Sequence, residues 1–225
     1  MKVNRIWRRS WTLAAVVLFA ILVSGAAMAA TLAVTSEQVT VYTSVVSIPP
    51  TTCTLSAADT DSYVSETGLF TNFGTAANLD VRSALVSNKR ALAQFGLAPC
   101  SIPANSLVTA ASLELYMFAA PTISRTYDAH GVTASWTESG VTWINQPAVG
   151  ASATATVATG TTSNVVLTWN VTPDVQAFVD GTTVNNGWRI GDRAEGSLTS
   201  REAQFRSAEY ATASQRPTLT ITYYP

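Results

Sequence analysis

The sequence has little charge, few cysteines and a single histidine. Charged residues make up 12% of its 225 residues, the formal net charge is −1, and there are two Cys and one His. With 47% apolar residues, this low charge excludes a disordered solvating chain, and the lack of a basic excess argues against a nucleic-acid binder. No zinc spacing, phosphate loop or haem motif occurs in the sequence. What it has instead is abundant Thr, Val and Ala with twelve Gly and nine Pro, which favours strands and turns over helices.

The N-terminus has the pattern of a signal peptide over residues 1–29. Basic residues precede an apolar run over 13–23, and Ala27-Met-Ala29 provides an A-x-A cleavage site. The apolar run has about eleven residues, fewer than the roughly 20 that span a bilayer, so cleavage is favoured over an uncleaved membrane anchor. The sequence therefore predicts a secreted protein, extracellular or at the cell surface, with no membrane contact after cleavage. The basic residues of this leader are Lys2, Arg5, Arg8 and Arg9.

Removal of the leader leaves nine basic and fourteen acidic residues, a net charge of −5. A weakly acidic protein has no general attraction for nucleic acid or anionic membrane. Binding to an acidic polymer would therefore require a local cluster of arginines.

Cys53 and Cys100 are the two cysteines. An even pair in an exported chain favours a disulfide, and two buried thiols are the alternative. The bridge would close a loop of nearly fifty residues and stabilise the fold by roughly 4 kcal/mol through chain entropy.

From Thr31 onward a period of two residues dominates, which is typical of strands. Apolar residues alternate with polar ones in four segments separated by turn signals such as Asn72-Phe-Gly74 and Asn185-Asn-Gly187. Many short strands with turns between them predict an antiparallel β-sandwich. The alternating apolar sets are Ala91/Ala93/Phe95, Leu113/Leu115/Met117, Val165/Leu167/Trp169/Val171 and Leu219/Ile221/Tyr223.

One segment predicts a short helix. Thr172 reads as an N-cap, Pro173 as the first helical residue and Asp174 as an acid in the first turn. Val175, Phe178 and Val179 follow at helical spacing, and Gly181 is a C-terminal stop.

Residues 30–51 form a separate N-terminal extension rich in Thr, Ser and Val that ends near Ile48-Pro-Pro50. Three interpretations stay open: a solvated linker, an edge strand of the sandwich, or a strand offered to another molecule. The Pro-Pro pair favours an extended spacer.

Segment 52–225 contains the block SWTESGVTWINQP at Ser135 to Pro147 and the terminal string Arg216-Pro-Thr-Leu-Thr-Ile-Thr-Tyr223. With these motifs it resembles a DNRLRE domain, a type grouped with carbohydrate-binding module family 96. The resemblance implies a secreted, jelly-roll-like β-sandwich that binds polysaccharide, with alginate as the best-known ligand of the family. The strings that carry it occur in the same order as in those domains: Asp59-Thr-Asp-Ser-Tyr63-Val64, Thr71-Asn-Phe-Gly74, Asn78-Leu-Asp-Val-Arg82, Arg90-Ala-Leu-Ala-Gln-Phe95, Ser112-Leu-Glu-Leu-Tyr116, Ser135 to Pro147 (SWTESGVTWINQP), Trp169-Asn-Val-Thr172, Asn186-Gly187, Ser200-Arg-Glu-Ala203 and Arg216-Pro-Thr-Leu-Thr-Ile-Thr-Tyr223.

The sequence gives little support to catalysis. An enzyme needs an acid–base pair or a nucleophile with its base, and His130 stands alone without a G-x-S-x-G motif. Glu114 and Glu138 are the carboxylates that could pair for glycoside hydrolysis. We expect a protein that is not an enzyme, with a hydrolase or lyase as the least favoured hypothesis.

Carbohydrate binding needs flat aromatic faces and planar hydrogen-bonding groups. Trp136 and Trp143 bracket a turn and are candidates for stacking, with core packing as the alternative, whereas Trp169 shares the apolar face of its strand and is assigned to the core. Guanidinium groups bind carboxylates in a bidentate manner, so arginines are the candidates for an acidic glycan. Ordinary solvated or ion-paired side chains are the alternative for each. The predicted cationic residues are Arg82, Lys89, Arg90, Arg189 and Arg193.

A Ca²⁺ site is also considered, with no other cofactor. Asp59, Asp61, Asn72 and Asp80 supply the hard oxygen ligands that calcium takes, near loop ends. Their spacing matches no EF-hand, and turn-capping is the common role of such residues.

Together these features predict a secreted, non-catalytic protein that binds an acidic polysaccharide through an arginine-bearing face. The alternative is a structural or adhesive surface protein that self-assembles through its sandwich and N-terminal strand.

Overall fold

The computed structural model describes residues 49–225, and the alternating segments of the sequence are strands in it. The predicted signal peptide and residues 30–48 of the predicted extension lie outside the described residues. The first strand begins at Thr51, the last residue assigned to the extension. The strands within residues 49–225 are β1 (Thr51–Ser56), β2 (Thr60–Ser65), β3 (Asn78–Ser83), β4 (Lys89–Gln94), β5 (Leu107–Ala119), β6 (Thr126–Gly131), β7 (Ala155–Ala158), β8 (Val165–Asn170), β9 (Trp188–Asp192), β10 (Arg201–Arg206) and β11 (Thr218–Tyr224), with one α-helix, α1 (Thr172–Val179).

All strand pairs among these residues are antiparallel, and the order is β1-β11-β5-β10-β3-β4-β9-β6-β7. Strand β2 adds to β4, and β8 adds to β5. The thirteen-residue strand β5 is long enough to pair with β11, β8 and β10 along different stretches. The sheet curls so that its apolar faces meet, which confirms the predicted antiparallel β-sandwich with one short helix.

The core is built from the alternating residues that the sequence singled out. Leu113, Leu115 and Met117 on β5 are fully buried, as are Leu219 and Ile221 on β11. Alternate residues of a strand point to opposite faces, so one apolar face per strand fills the space between the layers.

Aromatic side chains at the centre of the core have their polar atoms satisfied. Trp169 is fully buried, as predicted, and its indole nitrogen donates to the carbonyl of Tyr127 at 3.2 Å. Phe205 contacts both rings edge-on, with centroids 6.3 Å apart. Burial with satisfied donors makes these aromatics structural rather than ligand-binding.

The short helix covers one end of the core. Val175 is fully buried, and Phe178 packs on Trp188 with ring centroids 5.7 Å apart. Helix α1 begins at Thr172 itself, so the predicted N-cap role of Thr172 is wrong. Its hydroxyl instead accepts from the amide of Ala111 at 2.8 Å, which joins the helix to β5. Within residues 49–225 no helix is both long and apolar enough to cross a membrane.

The predicted disulfide between Cys53 and Cys100 is confirmed. The two Cα atoms are 5.6 Å apart, and the two cysteines are 47 positions apart in the chain. Cys53 lies on β1, and Cys100 ends a short 3₁₀ turn at Ala98–Cys100. Among the described strands β1 pairs with β11 alone, so the bridge provides a second attachment for this edge strand.

We expect the double substitution Cys53→Ser/Cys100→Ser to lower the free energy of unfolding by about 4 kcal/mol, because the unfolded chain regains the entropy of a long loop. The measurement is the urea midpoint with its slope. Dithiothreitol should reproduce the loss in the unmodified protein and change nothing in the variant. Equal midpoints for the two proteins would show that the bridge does not stabilise the fold.

Candidate functional site

The sheet face opposite the core carries a group of charged side chains on β4, β9 and β6. Ile190 on β9 pairs with Ala91 on β4 and Ala129 on β6, and all three are buried in the core. Their neighbours therefore point the other way, because side chains alternate along a strand. Arg189 is aligned with His130 of β6, and Gly191 is aligned with Asp128.

These side chains line an open groove of about 230 Å³, which we call the Arg189 groove. It is polar, and its wall consists mostly of charged groups. Its lining residues are Arg90, Asp128, His130, Arg189, Gly191, Asp192, Arg193 and Glu195.

Arg90 stands at one side of the groove in a fixed orientation. Its guanidinium donates to both carboxylate oxygens of Glu195, at 2.7 and 2.6 Å, and to Oε1 of Gln146 at 2.8 Å. Its Cζ also lies 4.5 Å from the ring centre of Trp143. A guanidinium held by a bidentate pair, an amide and an aromatic face has little freedom to reorient.

Two further bidentate pairs fix the other side. Arg193 donates to both oxygens of Asp128, at 3.0 and 2.8 Å, and to the hydroxyl of Thr156 at 3.0 Å. Arg125 donates to both oxygens of Asp192, at 2.7 and 2.9 Å. No motif in the sequence marks Arg125, which directly precedes β6. Each of the three groove carboxylates therefore already has its own arginine.

Arg189 differs from these arginines. No carboxylate of residues 49–225 lies within salt-bridge distance of it, and its Nε is buried without a hydrogen-bond partner there. Burial, with a smaller contribution from the neighbouring charge of Arg90, lowers the pKa of Arg189. Because a buried donor without a partner is costly, an external acceptor at this position would be bound favourably.

Two of the five predicted cationic residues lie outside this groove. Lys89 donates to Asp80 at 2.6 Å and to Glu202 at 2.7 Å, and Arg82 lies 4.0 Å from Glu202. Burial alone would lower the pKa of Lys89, but the two hydrogen bonds to carboxylates outweigh it and raise the pKa. In this cluster two positive charges are balanced by two negative charges, whereas the Arg189 groove has one positive charge more than its carboxylates balance.

The two candidate tryptophans lie on the loop between β6 and β7, over residues 133–147. Leu92, the register partner of Arg189, is fully buried beneath this loop by Val141 and the two tryptophans. The ring of Trp143 contacts the guanidinium of Arg90, which lines the Arg189 groove. Trp136 instead lines a second, shallow groove, and its indole nitrogen donates to the carbonyl of Asn186 at 3.0 Å. Both rings are half-buried, so each combines packing with an accessible edge.

The four predicted calcium ligands have separate partners. The carboxylate of Asp59 accepts from the amide of Gly96, and that of Asp80 accepts from Lys89. The side-chain amide of Asn72 donates to the carbonyls of Glu138 and Val141, at 2.6 and 2.8 Å. Asp59 and Asn72 thus bind loop backbone, whereas Asp80 lies within β3 and pairs with a cation of β4.

Asp61 is different, because it lies in a carboxylate cluster with Glu138 and Glu209. One oxygen from each residue lies within 4.8 Å of the others, and Asp61 is 1% exposed. Burial raises the pKa of Asp61 to about 8, and the charges of Glu209 and Glu138 and a side-chain hydrogen bond with Glu209 add to this effect, despite an opposing hydrogen bond from the amide of Ala208. From the sequence, Asp61 is a predicted calcium ligand and Glu138 a candidate catalytic carboxylate, whereas no motif marks Glu209.

The residues examined for catalysis are also separated. Nδ1 of His130 lies 2.9 Å from the carbonyl oxygen of Gly150, which orients the ring. Glu114 lies on β5 opposite Thr168 and Thr218, whereas Glu138 belongs to the cluster with Asp61. The predicted carboxylate pair of Glu114 and Glu138 is thus placed on different elements.

A curled β-sandwich with a charged, open groove beside half-buried tryptophans has the architecture of a small binding module. The sequence profile of carbohydrate-binding module family 96 matches residues 51–223, and the chain belongs to this family. The match confirms the resemblance to DNRLRE domains. Membership of this family implies that the partner of the protein is a carbohydrate. A comparison with curated proteins finds no matching sequence.

Proposed function

We propose that this protein is secreted and binds an acidic polysaccharide, such as alginate, in the Arg189 groove without cleaving it. The observation that carries the proposal is that half-buried Arg189 lines the groove and has no carboxylate partner in residues 49–225. A uronate carboxylate would supply the missing acceptor, and the planar guanidinium suits it.

The charge balance of the groove supports an anionic ligand. Three arginines line the groove, and a fourth, Arg125, forms an ion pair with Asp192 of the lining. The carboxylates beside them are those of Asp128, Asp192 and Glu195. The bidentate pairs cancel three of these positive charges and leave that of Arg189. A neutral glycan would gain hydrogen bonds at this site but would not compensate the remaining charge.

The same pairs argue against hydrolysis or elimination in this groove. A general acid or base must exchange a proton with the substrate, so it needs a carboxylate oxygen that is not already occupied by arginine donors. All three groove carboxylates have such partners. They therefore support binding rather than acid–base chemistry.

Secretion is supported by the leader-like pattern of residues 1–29 and by the disulfide between Cys53 and Cys100. Disulfides persist in oxidising compartments outside the cytosol. An extracellular binder also has access to polymeric glycans.

The test is affinity electrophoresis of the purified protein in gels containing alginate, polygalacturonate or a neutral glucan, without calcium so that alginate does not gel. We expect retardation in the two uronate gels, weakening as salt is raised because the contact is charge-dependent. The same protein should release no reducing ends and no unsaturated uronates from either polymer.

Retardation by the neutral glucan alone would contradict an acidic ligand, and released products would contradict a binding role. The alternative of a structural or adhesive protein rests on β1, whose second edge is unpaired among the described strands. Indifference to all glycans together with concentration-dependent association in sedimentation would favour that alternative.

A further inference from the structure

Three segments distant in sequence bring the carboxylates of Asp61, Glu138 and Glu209 together. Asp61 lies on β2, Glu138 on the loop of residues 133–147, and Glu209 in the turn after β10. This cluster is separate from the Arg189 groove, whose lining residues it does not share.

The cluster is fixed by the surrounding backbone rather than by charge. The amide of Asp61 donates to Oε1 of Glu138 at 3.0 Å, and Oδ2 of Asp61 accepts from the amide of Ala208 at 2.8 Å. Asn72 holds the carbonyl of Glu138, and a Cβ at Gly74 would lie only 2.5 Å from that same oxygen. The carboxylates of Asp61 and Glu138 are therefore positioned before any ligand arrives, and exposed Glu209 completes the cluster.

The remaining oxygen of Asp61 points to a missing ligand. Oδ1 is buried in a residue that is 1% exposed, and no N–H or O–H donor of residues 49–225 reaches it, whereas the carboxylate of Glu209 lies within hydrogen-bonding distance of Asp61. A buried carboxylate oxygen without a donor is costly, and no cation of the described residues forms a salt bridge with this cluster.

We propose that Asp61, Glu138 and Glu209 bind a calcium ion that joins β2, the loop of residues 133–147 and the turn after β10. Three carboxylates supply hard oxygen ligands, and calcium accepts six to eight such oxygens, with water and carbonyl groups completing its shell. Calcium is favoured over magnesium because its coordination tolerates irregular geometry, whereas magnesium requires a near-octahedral shell. The near-complete burial of Asp61 suits an ion and excludes a polymer.

The experiment uses the purified protein after metal removal with EDTA and dialysis, and compares it without calcium and with 2 mM CaCl2. This concentration is about 100-fold above a Kd of order 20 µM. We expect equilibrium dialysis to find one Ca²⁺ per chain and Tm to rise by about 5–10 °C. Asp61→Asn and Glu209→Gln should each abolish the calcium-dependent rise. Glu114→Gln, an acid on β5 outside the cluster, is the matched control and should retain it.

Asp61→Asn keeps an oxygen acceptor for the amide of Ala208 and removes the buried charge, so this variant should remain folded without metal. Absence of bound calcium in the unaltered protein, or a calcium-dependent rise that persists in Asp61→Asn, would overturn the site. An equal rise with magnesium at the same concentration would overturn the assignment to calcium. Alginate retardation of Glu209→Gln should match that of the unaltered protein, so failure of the calcium site is distinguishable from failure of the proposed function.

Discussion

Replacing Arg189 by glutamine is expected to weaken binding to alginate by about 10- to 100-fold, since a hydrogen bond to a charged group contributes about 1.5–3 kcal/mol. The variant loses the one groove arginine without a carboxylate partner among residues 49–225. Its Tm should not fall, because no ion pair of the described residues is broken. Affinity electrophoresis and thermal unfolding of the same samples measure both effects.

Two matched variants make this result specific. Arg201→Gln removes the same charge from a side chain outside the groove that donates to the hydroxyl of Thr122, and it should bind alginate almost normally. Arg189→Lys keeps the charge but loses the planar fork, so its affinity should lie between those of the other two proteins. Equal weakening by Arg189→Gln and Arg201→Gln would mean that net charge, not the groove, governs retention.

Replacing Gly187 by alanine is expected to destabilise the fold by about 5 kcal/mol, because the strain of a left-handed residue adds to overpacking against backbone. Gly187 has φ of +74° and precedes β9, the strand that carries Arg189. A Cβ there would lie 2.2 Å from the carbonyl oxygen of Ala93 and 2.7 Å from Cα of Gln94. Strand β9 would have to separate from β4, and Tm should fall by about 10–20 °C.

Gly181→Ala is the control for the conformational part of this effect. Gly181 has φ of +67°, but nothing lies within 4 Å of a Cβ at this position. It should therefore cost only about 1–2 kcal/mol, the strain of a left-handed residue alone. Similar Tm values for the two variants would show that close packing of β9 on β4 contributes little to stability.

The local features of this protein could be predicted from the sequence because each depends on near neighbours in the chain. Alternation assigned Leu113, Leu115 and Met117 to a buried strand face, and all three are fully buried. The Pro173-Asp174 start identified the helix, although Thr172 proved to be its first residue rather than its cap. The motif block of residues 135–147 carried the family assignment, which the match over residues 51–223 confirms.

The pairing of charged groups could not be predicted, because strand order decides which distant segments become neighbours. Arg82, Lys89 and Arg90 are close in sequence, yet Lys89 contacts Asp80 and Glu202 while Arg90 contacts Glu195. Nothing near Asp61 in the chain indicates that Glu138 and Glu209 lie beside it, because those contacts span 77 and 148 positions. The alternation of apolar and polar residues already determined the sandwich and its core. The order of the antiparallel strands decided which arginine and which aspartate oxygen have no partner within residues 49–225.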